Sequence, residues 1–398
     1  MTRITEIRAS TIGFTENRSN ATMDFSEMTL GLCAVVTDVV KNGKPVVGYG
    51  YGALGRYSQE SIWRERMIPR IMKADPEALL NEAGDNLDPR KILKVMIKNE
   101  KDGGHGDRAA AASGLDIAMW DAAAKIADKP TAQLFADAAG RDSVPEKVAV
   151  YVGGGYYVPG KGLKELQDEI HGHHDDGFTF IKIKIGGAPL KEDMARIEAV
   201  LEVQPNDCLM VDANSGFDLK LALDYAKAMA PYKLRWFEDP GPTLDYELMA
   251  EVCAAYDGGM ATGENQMSHD DCRNLVRYGG MRPEKDFFLF DPSWTYGPSE
   301  YMRIVTMMEE NGWSRTRLYP HGGHLVSLHV TAGLGLGGTE AYPTSFQPVG
   351  GFTDGLDIAD GVCGLPDAPG FGFEDKKKLF AIMKKLTDDL PQTKTAAA

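Results

Sequence analysis

FTFIKIKIG at residues 178–186, CLMVDANS at 208–215, LRWFEDP at 234–240 and GMATGEN at 259–265 are four short apolar runs that each close on a charged residue, Lys184, Asp212, Glu238 and Glu264. Two further runs continue the series, FFLFDPS at 287–293 with Asp291 and RLYPHGG at 317–323 with His321. The six polar residues recur 26 to 30 residues apart. That interval is the length of one strand, one helix and two short loops, roughly 30 residues, so each polar residue sits one strand further round a parallel barrel. VAVYVGG at 148–154 and GTEAYP at 338–343 supply the first and last strands. Amphipathic segments between the strands, such as 161–174, 191–203 and 218–230, repeat apolar residues at three and four, the helical period. Eight strands in this spacing predict a TIM-type barrel whose last repeat is degenerate, since the connection from the seventh to the eighth strand and the tail after it are irregular.

The carboxyl ends of barrel strands are the face on which side chains from different strands converge. One acid at a strand end reads equally as the N-cap of the next helix; six polar residues in register point to an active site. Asp212, Glu238 and Glu264 come from consecutive strands and offer hard oxygen ligands without cysteine or histidine, a set that suits magnesium (Mg2+) rather than zinc. Asn214 stands beside Asp212 to orient a ligand. In FTFIKIKIG the lysines Lys182 and Lys184 alternate with Ile181, Ile183 and Ile185. Period two sends the isoleucines outward to the helices and both lysines inward to the mouth. Paired ammonium groups near a cation disfavour each other's charge, which makes Lys184 a base candidate. Asp291 and His321 close neighbouring strands, where a carboxylate would fix the imidazole tautomer. Glu340, on the last strand, points into the same mouth. His324, His329 and the cluster His171, His173 and His174 read as structural.

A metal between a lysine and a histidine suits proton abstraction next to a carboxylate. Cation and Lys182 together stabilise the ene-diolate, and the opposite group returns a proton to carbon or protonates a leaving hydroxyl. The outcomes are racemisation and dehydration.

The chain has 398 residues, 43% hydrophobic and 25% charged, with a formal net charge of -15. This length suits a barrel with a smaller companion domain, and the acidic surface disfavours nucleic acid and anionic lipid as partners. No apolar run reaches the roughly 20 residues of a membrane span, and a cytoplasmic location is expected. The five scattered cysteines predict reduced, mostly buried thiols rather than disulfides. Three strand-like runs, 4–14, 28–40 and 44–52, with the last two as a hairpin, precede helical patterns at 61–74, 76–87, 89–99 and 108–135. Strands followed by helices predict an α+β capping domain at 1–140, completed by the C-terminal segment 365–398, with the barrel at 141–364. The basic amphipathic helix at 374–390 is expected to dock on the cap rather than on a membrane.

With these residues in view, the chain resembles the enolase superfamily, in the mandelate racemase subgroup, over nearly its whole length. The resemblance is carried by AAASGLDIAMWDAAAKIADKPTAQLFADAAG at 110–140, by KIK at 182–184, by VDAN, FEDP and TGEN, by Asp291 with His321, and by Glu340. Lysine or histidine bases with magnesium are the known equipment of enolase-type sites. The resemblance implies an α/β fold, a modified (β/α)7β TIM barrel with an α+β cap, that acts as a magnesium-dependent lyase. Residues 263–280 and 319–343 are especially similar to the D-tartrate dehydratase branch. That likeness implies Lys184 as the base on the α-proton, His321 as the acid for the β-hydroxyl, and conversion of D-tartrate to oxaloacetate. Asn214 stands where some sugar-acid dehydratases carry a histidine, which argues against their substrates. Racemisation, another sugar acid, or a catalytically silent binding barrel are the alternatives. Cap loops at 15–23 and 53–57 are implied to set specificity, with Asn20, Arg56 and Lys101 as substrate contacts. A small hydroxy-acid substrate and a homo-oligomer are expected.

Overall fold

The first 55 residues build an antiparallel sheet in chain order, β1 (Ile4–Phe14), β2 (Met28–Lys41) and β3 (Lys44–Gly55). The computed structural model describes residues 1–14, 25–55 and 57–390. β2 and β3 form the expected hairpin, with Lys41 paired to Lys44. Asn42 and Gly43 take the turn with φ of 51° and 73°, the left-handed pair that an Asn-Gly turn favours. Against this sheet lies a long alanine-rich helix, Gly106–Ala127. A side-chain carbon on Gly48 or Gly50 would fall 2.1 Å from the carbonyl oxygen of Ala118 or Gly114. The glycines of KPVVGYGYG therefore let strand and helix pack backbone to backbone.

Two helical patterns come out differently. The run 108–135 is broken into Gly106–Ala127 and Thr131–Ala138, because Asp128 turns left-handed at φ 58° and Pro130 follows. The run 76–87 holds only a 3-10 turn, Pro76–Leu79. Beyond it the Asn81 side chain accepts from the backbone N–H groups of Asp85 and Asn86, and Gly84 sits at φ 71°, so local side-chain bonds outcompete the helix.

The second half is a closed parallel barrel: β4 (Lys147–Gly154), β5 (Phe180–Lys184), β6 (Leu209–Asp212), β7 (Trp236–Glu238), β8 (Met260–Thr262), β9 (Phe287–Phe288) and β10 (Thr339–Ala341), which pairs back onto β4. The seventh position is filled by residues 318–321 without a regular strand. A bridge joins Leu318 to Phe288, Tyr319 N donates to Phe288 O at 2.9 Å, and Glu340 N donates to Pro320 O at 3.2 Å. Pro320 has no N–H to give, which breaks the ladder there. Helices follow the first seven positions and none follows β10 directly, giving (β/α)7β. After it, β11 (Ile358–Ala359) and β12 (Val362–Gly364) form a small hairpin on the amino end of β4.

The tail then returns to the cap. The ring of Phe380 meets Tyr49 edge-on at 5.5 Å, and Arg8 donates to the carbonyl of Leu386 at 2.9 Å. Among the described residues no helix is long and apolar enough to cross a membrane. All five cysteines are free, and four of them are buried.

Period two sorts the barrel as the sequence suggests. Ile181, Ile183 and Ile185 are fully buried in the main core, while Tyr151, Met210, Trp236, Ala261, Phe287 and Leu289 form a separate apolar layer inside the barrel. Arg235 stacks on this layer, 4.4 Å from the Phe180 ring, and donates to Tyr319 Oη at 3.0 Å. The polar residues at the mouth rest on this apolar floor.

Candidate active site

Lys184, Asp212 and Glu238 form one rung of the barrel, paired directly across β5, β6 and β7. Glu264 joins them from two residues beyond β8, past Gly263 at φ 116°. One carboxylate oxygen from each of Asp212, Glu238 and Glu264 lies within 4.8 Å of the others. Three hard oxygens at this separation, two of them buried, fit a divalent cation of the magnesium type. Asn214, left-handed at φ 46°, braces the first acid: its backbone N–H and side-chain amide donate to the two Asp212 oxygens at 2.8 and 3.2 Å.

The lysines interleave with these acids. Lys184 Nζ is 2.6 Å from Asp212 Oδ2, and Lys182 Nζ is 2.6 Å from Glu238 Oε1, 3.1 Å from Glu340 Oε1 and 3.5 Å from Asp212 Oδ2. Burial opposes ionisation of Asp212, but the two lysines prevail and hold it down at about 2. Glu238 shifts the other way, raised by burial and by Asp212 against the pull of Lys182. For Lys184, burial and its neighbour Lys182 favour the neutral amine, as the lysine pairing suggests. Asp212 outweighs both, and the ammonium form is favoured.

On the other side, His321 Nδ1 donates to Asp291 Oδ2 at 2.9 Å. Its Nε2 lies 3.2 Å from Tyr342 Oη, 3.4 Å from Glu264 Oε2 and 3.7 Å from Glu340 Oε2. Burial works against the imidazolium, yet Glu264, Asp291 and Glu340 raise His321 to about 10. Glu340 thus bridges the two halves, with one oxygen near Lys182 and the other near His321.

A cavity of about 570 Å³ opens over this constellation, with Lys184, Asn214, Glu264, Asp291 and His321 on its wall. Lys182, Asp212, Glu238 and Glu340 are buried behind that wall. Lys182, which the strand period turns toward the mouth, lies beneath that wall in contact with Asp212, Glu238 and Glu340. Lys101 is exposed and off the wall, whereas His105 is on it. Gly103, Gly104 and Gly106 all have positive φ, and that turning loop carries His105 rather than Lys101 inward. Asn20, Arg56 and the whole of the 15–23 loop lie outside the described residues.

Several participants escaped the sequence reading. Tyr342, whose hydroxyl meets His321, stands two residues beyond Glu340, so strand parity could have found it. Tyr156, whose ring centroid is 5.5 Å from Lys184 Nζ, follows β4 in a loop and left no periodic signal. Asp239, next to Glu238 in FEDP, is buried, and burial with the carboxylates of Glu264 and Asp212 raises it to about 8.

Comparison with known proteins places this architecture. Residues 9–136 match the mandelate racemase / muconate lactonizing enzyme N-terminal domain, and residues 165–378 match the enolase C-terminal domain-like family. Arabinonate dehydratase of Saccharolobus solfataricus is 28% identical over 87% of this chain and 89% of its own length. A 3,6-anhydro-alpha-L-galactonate cycloisomerase of Streptomyces coelicolor is 32% identical over 90% of this chain and 91% of its own. The crystal structure of L-talarate/galactarate dehydratase from Salmonella typhimurium LT2, liganded with Mg and L-lyxarohydroxamate, superposes with a TM-score of 0.74 at 25% identity, covering 92% of this chain and 88% of that one. These relatives are named for sugar acids rather than tartrate. With both domains matched along most of its length, the chain belongs to the enolase superfamily, in the mandelate racemase and muconate lactonizing enzyme group.

Proposed function

We propose that this protein is a magnesium-dependent dehydratase of a small hydroxy diacid, with D-tartrate as substrate and oxaloacetate as product. The observation that carries this reading is the presence of Lys184 and His321 on the wall of one cavity, with Glu264 of the acidic cluster between them in the same wall. In this reading the cap, residues 1–140 completed by 365–398, closes over the mouth of the barrel at 141–364.

Asp212, Glu238 and Glu264 would hold the cation. When bound, it supplies positive charge against the two oxygens of the ene-diolate and draws off the carboxylate charge that otherwise holds the Lys184 proton. Lys184, as the amine, takes the proton from the carbon next to the carboxylate. Lys182 offsets the negative charge from beneath. His321, carrying a proton on each nitrogen and oriented by Asp291, gives its Nε2 proton to the departing β-hydroxyl, which leaves as water. The remaining enol takes a proton on carbon and loses one from oxygen to give the keto diacid.

A second reading, dehydration of a longer sugar acid, is favoured by the size of the cavity and by the names of the relatives. One assay separates the readings. Protein with magnesium is incubated with D-, L- and meso-tartrate and with a library of aldonic and aldaric acids, and keto-acid release is followed. Release from D-tartrate alone is the expected result, and release from a sugar acid alone overturns the substrate assignment. Exchange of an α-proton with deuterium without keto acid would make the enzyme a racemase.

A further inference from the structure

Behind the Asp291 and His321 pair stands a second histidine. His324 is buried, and its Nδ1 accepts the backbone N–H of Ser327 at 3.2 Å, which leaves the ring proton on Nε2. From there it is donated to Ser293 Oγ at 3.2 Å, and the Ser293 hydroxyl donates in turn to Asp291 Oδ1 at 2.7 Å. The Ser293 backbone N–H donates to the same oxygen at 2.6 Å. Asp291 Oδ2 is then left for His321 Nδ1. The hydrogen bonds run in one direction, from His324 through Ser293 to Asp291.

The motif HGGH is shaped by this chain of bonds. Gly322 sits at φ 107°, and a side-chain carbon there would lie 2.6 Å from His324 Nε2 and 2.9 Å from Asp291 Oδ2. Only glycine lets the backbone pass between the two groups. The edge of Tyr51, from β3 of the cap, covers His324 with ring centroids 5.5 Å apart. Burial keeps the imidazole neutral, at about 4, despite the nearby Asp291 carboxylate, so His324 donates a hydrogen bond without adding a charge.

We infer that His324 and Ser293 are positioning residues: they pin the Asp291 carboxylate in the rotamer that presents Oδ2 to His321, and so keep the imidazole aimed into the cavity. The inference rests on reading His321 as the acid of the proposed dehydration.

The test has two arms on the full chain. In the first, keto-acid release from D-tartrate with magnesium and solvent-deuterium exchange at the α-carbon are measured for wild type, Ser293→Ala, His324→Leu and His324→Gln. Loss of one such bond is expected to lower kcat about tenfold in Ser293→Ala and His324→Leu, with KM little changed and α-exchange by Lys184 retained. His324→Gln, whose amide can replace the Nε2 donor, is expected to recover most of kcat. Unchanged kcat in Ser293→Ala, or equal loss of dehydration and exchange in all three variants, overturns the inference. In the second arm, long-range 1H–15N correlations of histidine-labelled protein give the His324 tautomer, assigned by its disappearance in His324→Gln. The Nε2–H form is expected, and the Nδ1–H form overturns the inference. If wild type releases no keto acid from D-tartrate, the substrate reading fails and the tautomer arm alone decides the role of His324.

Discussion

Lys184 Nζ lies 2.6 Å from Asp212 Oδ2, across a single rung of the barrel. The proposed base and a proposed metal ligand therefore share one charge: the proton on Lys184 and a cation at Asp212 would compete for the same carboxylate. Lys184→Ala should abolish α-proton exchange, a loss of about 10³-fold for a general base. The same change should tighten magnesium binding by about tenfold, because a charge-assisted bond to Asp212 no longer has to be broken. Titration calorimetry of the variant checks the second effect without turnover, and unchanged or weaker binding would refute the competition.

His321→Asn tests the division of labour. The variant should stop dehydration while leaving exchange by Lys184 in place, since Lys184 and His321 act on different atoms of the substrate. Keto-acid release and deuterium incorporation are measured on the same sample. Equal loss of both would mean that His321 is needed before the α-proton leaves.

Glu238 is buried beside Asp212 and raised by burial and that neighbour, so a cation should relieve crowding that the lysines only partly offset. Magnesium at 100 times its dissociation constant should stabilise wild type by about 2.7 kcal/mol. Glu238→Gln should show no such increment in a thermal melt. A melting temperature that rises equally in both proteins would remove Glu238 from the ligand set.

How much of this was legible in the sequence follows from the kind of signal each residue left. Lys184, Asp212 and Glu238 were readable because strand period and barrel repeat are both fixed by backbone geometry, and together they put one residue per unit at one height. Glu264, Asp291 and His321 lie beyond regular strands, yet the repeat length still brings them to the barrel mouth, on the wall of one cavity. The seventh run lost its ladder to Pro320, a local effect that leaves the position of His321 intact. Loop residues had no such ruler. Lys101 and His105 are four apart in a glycine-rich segment, and only the three positive φ angles decide which faces inward. The helical pattern at 76–87 failed for a related reason, since the hydrogen bonds of Asn81 are local choices that periodicity does not see.

Acid stability supplies a final prediction, remote from the proposed metal ligands. His329 is fully buried, and its Nδ1 accepts the backbone N–H of Ala132 at 3.1 Å. Burial lowers it to about 3, although the nearby Phe371 carbonyl favours the charged form. Unfolded histidine titrates at about 6.5. Between these values the unfolded chain binds a proton that the folded chain refuses, so stability rises with pH across the window. The contribution is complete above about pH 6.5 and is lost progressively as the pH falls toward 3. His329→Asn keeps an acceptor near the Nδ1 position and removes the titration. The drop in unfolding free energy from pH 7 to pH 5, measured by urea denaturation, should therefore be smaller in the variant by about 2 kcal/mol. Identical drops in the two proteins would show that His329 takes up its proton without unfolding the junction between helix 131–138 and the barrel helix Leu325–Leu334.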